Sequence, residues 1–378
     1  MPTLPATFLQ LRSTVRTGGT LDLSFSDVPL PVPVGDEVLV RLEAAPINPS
    51  DIGLMFGAAD LSTIQLSGSR DRPRVTARIP ERAMKAMAGR LDMPLPVGNE
   101  GAGTVVRAGI SPEAQALLGR RVAMFGGAMY AQYQLLRAEQ CLRLPDGTTA
   151  EAGAACFVNP LTALGIVETM RLEGHRALVH TAAASNLGQM LLRLCHADGI
   201  PLVNIVRAPA QAERLRELGA THVCDTSSPS FTQDLLASLV ETGATVAFDA
   251  TGGGTLASQI LRGMESALTA RATAYSPYGT TTHKQVYVYG RLEAAPLELA
   301  GGYGMAWSVG GWLLSPFLER IGPQAAARLR ARVVDELTST FVSHYARTIA
   351  LPEILAPDAI DTFTRRATAT KVLVDLTR

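Results

Sequence analysis

The sequence predicts an α/β chain of two domains, a barrel of short strands followed by a doubly wound parallel sheet. Three observations predict it. The chain has 378 residues, more than one hydrophobic core ordinarily serves. Up to about residue 155, short apolar runs are cut by Gly and Pro at turn spacing. From about residue 156, strand-like and helix-like stretches alternate at the pitch of βαβ units, which implies right-handed crossovers.

The first part contains EVLVRLEAAPINPSD, a strand running into a Pro-bounded loop. EGAGTVVRAG and RRVAMFGG are strands ended by glycine, and YAQYQLLRAEQCLRLPDG continues the pattern. Residues 61–92 interrupt it as a lengthened loop. They hold seven basic residues (Arg70, Arg72, Arg74, Arg78, Arg82, Lys85 and Arg90) against three acids, with a short helix in PERAMKAMAGR opened by Pro80. In the second part, NPLTALGIVETMR is helical and RALVHTAAA is a strand ending in small residues. SNLGQMLLRLCHADG is a helix stopped by glycine, PLVNIVRA a strand, AQAERLRELGA a helix and THVCDTS a short strand. SFTQDLLASLVETG follows as a helix and ATVAFDATGGG as a strand with a Gly-rich turn. The tail ends on the strand KVLVDL.

Composition narrows the function. Lys+Arg and Asp+Glu both number 34, so no net charge favours nucleic acid or an acidic membrane. The four cysteines, Cys141, Cys156, Cys195 and Cys224, are far apart and form no C-x-x-C pair, which argues against a disulfide framework and a cysteine zinc cluster. The stretch MPTLPATFLQLRSTVRTGG has no apolar run of a signal peptide, and YGMAWSVGGWLLSPF is too short and broken to span a bilayer. A cytoplasmic protein is expected.

HTAAASNLGQMLLRL sits where a strand turns into a helix, as a dinucleotide-binding loop does, but it holds only Gly188. Glycine serves such a loop because no Cβ blocks the phosphate. Alanine and serine add one small group and suffice while φ stays negative. Small residues fall at Ala182, Ser185 and Gly188, with Ala183 and Ala184 between and Asn186 and Leu187 before the glycine. The Ser185 hydroxyl can meet a phosphate or cap the helix. The alternative is a plain strand-to-helix turn. The next strand ends about 20 residues on, where an NAD site carries a ribose-binding acid. Arg207 stands there instead. A guanidinium suits a 2′-phosphate, so NADPH is expected over NADH.

With these pieces in order the chain resembles the medium-chain dehydrogenase/reductase superfamily, and within it the zinc-independent NADPH:quinone oxidoreductase and enoyl reductase branch. The resemblance rests on AAPINPSD (44–51), PVGNEGAGTVVRAG (96–109), GRRVAMFGG (119–127), NPLTALG (159–165), the AAASNLG turn, RLRELGATHVCD (214–225) and VAFDATGG (246–253). It implies a GroES-like catalytic domain over 1–155, completed by 339–378. It implies a Rossmann NADPH-binding domain over 156–338, an active site in the cleft between them, and a homodimer. Zinc-using relatives place a Cys in the NPSD loop, a His-Glu pair at Asn99-Glu100 and a Cys before the NPLTALG helix. Here those positions hold Ser50, Asn99 and about Val158, which do not suit zinc, so no metal is expected.

The resemblance also implies roles. Asn48 lines the nicotinamide pocket, with an Asx-turn before Pro49 as the alternative. Thr162 lies beneath the nicotinamide. Thr251 and Gly252 end a strand against the cofactor, and Tyr289 and Gly290 approach its carboxamide. Arg366 and Lys371 match basic residues near the cofactor. Enoyl reductases of this branch carry a tyrosine shortly after NPSD. Here the first tyrosine is Tyr130, which either reaches the cleft as a proton donor or belongs to the barrel core. YGMAWSVGGWLLSPF departs from the family pattern, and its Trp307 and Trp312 either wall the substrate pocket or enter a dimer interface. The implied reaction is hydride transfer from NADPH to a quinone or similar activated carbonyl, a small molecule. The alternatives are reduction of an α,β-unsaturated ketone or thioester and a non-catalytic NADPH sensor; the basic segment is a solvated, screened surface, a lid over the cleft, or a set of cations that neutralise coenzyme A phosphates, which would favour the enoyl reading.

Overall fold

The computed structural model describes residues 4–365 and 371–378. The chain divides into two compact units, Met1–Val158 with Val333–Arg378, and Asn159–Arg332.

The first unit is built from two sheets. Strands Thr7–Arg16 and Thr20–Pro29 form a long antiparallel hairpin, flanked by Pro73–Arg78 and then Asp60–Gly68 on one side and Leu95–Pro96 on the other. The second sheet runs Cys141–Arg143, Arg121–Phe125, Glu100–Ala108, Glu37–Pro46, Val372–Asp375, Arg347–Ala350, with Tyr133–Arg137 also pairing Glu37–Pro46. The tail therefore returns to this unit: Leu373 lies opposite Pro46 and Val374 opposite Ala45. Leu11, Leu21, Leu23, Val40, Leu42, Ile349 and Val374 close its core. All seven lie on strands of the two sheets.

Residues 61–92 are not the lengthened loop expected from the sequence. Asp60–Gly68 and Pro73–Arg78 form a hairpin that widens the first sheet. Pro80 then caps a helical turn, Glu81–Met84, which runs into the 3-10 turn Lys85–Arg90. Among the described residues, the side chains of three of the seven cations make hydrogen bonds. Arg74 makes a bidentate pair with the buried Asp22 at 2.9 and 2.8 Å, and Arg72 pairs with Asp27 at 2.7 Å. Arg90 donates to Ser13 Oγ at 2.8 Å. The acids paired with Arg72 and Arg74 lie on a strand some fifty residues upstream, invisible to a local charge count.

The second unit is one parallel sheet in the order His222–Asp225, Leu202–Val206, Leu178–His180, Val246–Asp249, Lys284–Val288, Trp307–Gly311. Numbered by sequence, that is 3-2-1-4-5-6, the doubly wound order. Leu178–His180 is buried at every position, as a central strand covered on both faces must be. Its order reverses between Leu178–His180 and Val246–Asp249, where such sheets bind ligands. Ala150–Leu172 is the one described stretch long and apolar enough to cross a membrane, and 78% of its qualifying window is buried inside the fold.

Candidate functional site

In the second unit the turn after Leu178–His180 is compact. Ala183 N–H donates to Ile205 O at 3.1 Å, which ties the loop to the neighbouring strand. Ser185 caps helix Asn186–Asp198 by accepting from Gly188 N–H at 3.1 Å, so its hydroxyl proton remains to be given. Gly188 has no room for a side chain: a Cβ would collide with the Ala183 carbonyl group. Ala183, Ala184 and Leu187 are buried, and Asn186 opens the helix.

One expectation about this loop is corrected. Ala182 has φ +50°, so φ does not stay negative where the chain turns. An L-residue there meets its own carbonyl, at about 1–2 kcal/mol. Ala182→Gly is therefore expected to stabilise this unit, by up to about 1 kcal/mol after the extra entropy of glycine. Urea unfolding followed by tryptophan fluorescence reads this directly, because Trp307 and Trp312 are the only tryptophans and both lie in this unit. An unchanged or lowered midpoint would mean that the turn is not strained.

Across the switch point, the buried Asp249 organises the facing turn. Its carboxylate accepts from Thr181 Oγ1 (2.8 Å), Thr251 N–H (2.8 Å), Thr251 Oγ1 (2.5 Å) and Gly252 N–H (3.1 Å). Thr181 Oγ1 accepts in turn from Ala250 N–H. The sequence reading missed both residues; an acid closing the apolar strand VAFD was their signal. Thr251 is thus held by its own strand end. Gly252 adopts φ +65° and abuts the Gly290 carbonyl, where any Cβ would collide.

Tyr289 lies behind this turn, with its hydroxyl 2.7 Å from His180 Nε2 and its ring 5.8 Å from the imidazole. Burial pushes the His180 pKa down to about 3, so the imidazole is neutral. Val288, Tyr289, Gly290, Arg291, Gly311 and Trp312 border a concavity of about 510 Å³. Trp312 is buried, its Nε1 donating to Thr169 Oγ1 at 3.0 Å and its ring packed on Phe248 and Phe317. Trp307 meets Tyr303 edge-on. Thr162 is buried within helix Val158–Leu172. Arg207 is exposed directly after strand Leu202–Val206, and its N–H donates to Gln211 Oε1 at 3.1 Å.

In the first unit, Asn48 precedes helix Pro49–Phe56 without capping it through its side chain. Its Nδ2 donates instead to Glu100 Oε1 at 2.8 Å. The buried Asp51 accepts from Asn48 N–H and Asn99 N–H, both at 2.8 Å. Burial, with the Glu100 charge nearby, raises its pKa to about 7 against those two donors. Ser50 and Asn99 bond each other at 2.9 Å. Among the described residues no three His, Cys, Asp or Glu side chains group to hold a metal ion. Tyr130 is fully buried and donates to Pro46 O at 3.1 Å, the barrel-core position. Burial, with Asp51 beside it, holds its proton well above the usual phenol range. Lys371 is part-buried with a shielded Nζ, and Arg366 lies outside the described residues.

No family model matches the chain. Over 147 residues it is 31% identical to the quinone oxidoreductase of Pseudomonas aeruginosa, covering 38% of this chain and 45% of that protein. Over 207 residues it is 27% identical to the mitochondrial enoyl-acyl-carrier-protein reductase of Xenopus tropicalis, covering 53% and 51%. The chain spans about half the length of the curated relatives it matches. It superimposes on a solved protein from Mesorhizobium loti assigned as an NADPH:quinone reductase, with TM-score 0.74, 23% identity and 99% and 100% coverage. It also superimposes on mycobacterial Rv1454c solved with NADPH, with TM-score 0.68, 18% identity and 98% and 100% coverage. These likenesses show the fold, a Rossmann-type doubly wound sheet with a GroES-like barrel. In sequence the chain is similar, over about half its length or less, to quinone oxidoreductases and enoyl reductases, and in fold to a solved protein assigned as an NADPH:quinone reductase.

Proposed function

We propose that this protein is a zinc-independent reductase that passes hydride from NADPH to a quinone or a similarly activated carbonyl. One observation carries the reading. At the switch point of the parallel sheet a helix begins among small side chains, and Arg207 rather than an acid ends the neighbouring strand. A helix start of this kind offers N–H groups to a pyrophosphate. NADPH, when bound, supplies the hydride. The chain's own residues bind and orient. Ala183, Ala184 and Gly188 leave room for the pyrophosphate, and Ser185 has a proton to give it. Arg207 pairs with the 2′-phosphate. Thr162, Tyr289 and Gly290 line the nicotinamide, Thr251 and Gly252 bring backbone against the cofactor, and Asn48 offers its carboxamide to the substrate or the ribose. Residues 1–155 with 339–378 serve as the catalytic domain and 156–338 as the cofactor domain, in a cytoplasmic homodimer.

The Xenopus relative favours enoyl reduction as a second reading. Against it, a proton must reach carbon, and the first tyrosine of the chain is sealed in the barrel core. Quinones need little such help.

The test is NADPH oxidation with 1,4-benzoquinone, a 1,2-quinone and an enoyl-CoA, repeated with NADH. Quinone-dependent turnover preferring NADPH is expected. In Arg207→Ala the preference should fall by at least about 10-fold, as losing a charge-assisted hydrogen bond of roughly 1.5–3 kcal/mol requires. Turnover on the enoyl-CoA alone would transfer the reading to enoyl reduction. Tight binding without turnover would make the protein a sensor, and no binding would reduce the loop to a turn.

A further inference from the structure

Glu100 is fully buried in the first unit and is the hub of its polar cluster. Oε1 accepts from Asn48 Nδ2 at 2.8 Å, and Oε2 from the backbone N–H groups of Phe157 and Val158 at 3.0 and 2.8 Å. Three donors favour the ionised form, yet a carboxylate out of water still calls for a cation. The cation comes from the other end of the chain. Strand Val372–Asp375 pairs with Glu37–Pro46, and Ile47 N–H donates to Val372 O at 2.9 Å. That register brings Lys371 alongside Ile47 and Asn48. Its Nζ is shielded from solvent, has no hydrogen-bond partner among the described residues, and lies 5.9 Å from the centre of the Tyr345 ring.

We propose that Lys371 is a positioning residue: it supplies the countercharge of Glu100 and, through Glu100, fixes the carboxamide of Asn48. This rests on the role proposed for Asn48 above. An ionised carboxylate only accepts, so Asn48 must turn its NH2 toward Glu100 and its Oδ1 away. A protonated Glu100 can also donate, and both amide orientations become open. Lys371 selects one of them. Among the described residues, the titratable groups around Glu100 are Lys371, Asp51, Tyr130, Cys156 and Tyr345, and Lys371 is the cation of that set. Burial lifts the Glu100 carboxyl above the usual range, and Lys371 draws it back. Burial lowers the Lys371 ammonium, and Glu100 and Asp51 hold it up. Without the ammonium the carboxyl rises further and protonates at higher pH.

The experiment compares wild type, Lys371→Met, Lys371→Arg, Glu100→Gln and the Lys371→Met/Glu100→Gln double variant. Two readouts are used: the pH profile of kcat/KM with the quinone that turns over, and the pH titration of the Asn48 side-chain amide resonance. In Lys371→Met the acid limb and the amide titration should both move up by about one pH unit. Lys371→Arg should restore them, and Glu100→Gln should abolish both and make the second change silent. Superimposable profiles in wild type and Lys371→Met would overturn the proposal. So would an amide titration that Glu100→Gln leaves unchanged in midpoint and amplitude, which applies even if Lys371→Met does not fold. A wild type without turnover but with the expected amide titrations would sink the reductase reading and leave this inference standing.

Discussion

Gly188→Ala is expected to lower the stability of the parallel-sheet unit by about 2–3 kcal/mol and to weaken NADPH binding by more than 10-fold. The new Cβ would fall on the Ala183 carbonyl oxygen, carbon and Cα, all backbone atoms held by the bond from Ala183 N–H to Ile205 O. No side chain can rotate away, so the helix start must shift. That shift also breaks the Ser185 cap on Gly188 N–H. The N–H groups proposed to meet the pyrophosphate move with it. Urea unfolding followed by tryptophan fluorescence reads the first effect, and fluorescence titration with NADPH reads the second. A variant as stable as wild type would show that helix Asn186–Asp198 does not pack this closely on its loop. A destabilised variant with unchanged affinity would detach the loop from the cofactor.

The sequence made this role legible because spacing alone puts the third small residue at the helix–strand contact. The alternation of strands and helices was equally legible, since short apolar runs buried on both faces alternate with longer helical stretches. What was not legible depended on partners distant in the chain. The hairpin Asp60–Gly68/Pro73–Arg78 reads locally as a basic loop, because its strand character comes from pairing with Thr20–Pro29. Arg74 looks like a free cation until Asp22 lies beside it. Ala182 gives no sign of a positive φ, because alanine avoids it. Thr181 and Asp249 are ordinary residues, one just past the end of a strand and one closing another, and only the sheet order brings them together. Lys371 reads as a basic residue near a cofactor, while its strand carries it beside Asn48.

The second large effect lies at the opposite, N-terminal end of strand Lys284–Val288. Lys284 is fully buried, and its ammonium donates to Glu265 Oε2 (2.6 Å), Thr280 Oγ1 (3.1 Å) and Thr282 O (3.0 Å). All three protons are used. Glu265 also accepts from Thr280 N–H and Oγ1 at 2.8 and 2.7 Å, so the carboxylate closes the loop before the strand. Lys284→Met is expected to cost about 3–5 kcal/mol, because it leaves Glu265 charged, buried and without its cation. Lys284→Met with Glu265→Leu should recover much of that loss, since an apolar pair of similar volume carries no unpaired charge. The pH dependence has a definite sign. Burial raises the Glu265 carboxyl, but Lys284 and Thr280 outweigh it and hold the pKa below the usual value. A carboxyl depressed on folding stabilises fully above its unfolded pKa, and that contribution disappears as the pH falls through the folded value. The wild-type protein should therefore lose this increment only in acid, below the ordinary carboxylate range, while the double variant lacks that acid step. Tryptophan-monitored unfolding across pH separates the cases. If Lys284→Met proves as stable as wild type at neutral pH, the ammonium is not the partner that keeps Glu265 charged inside the fold.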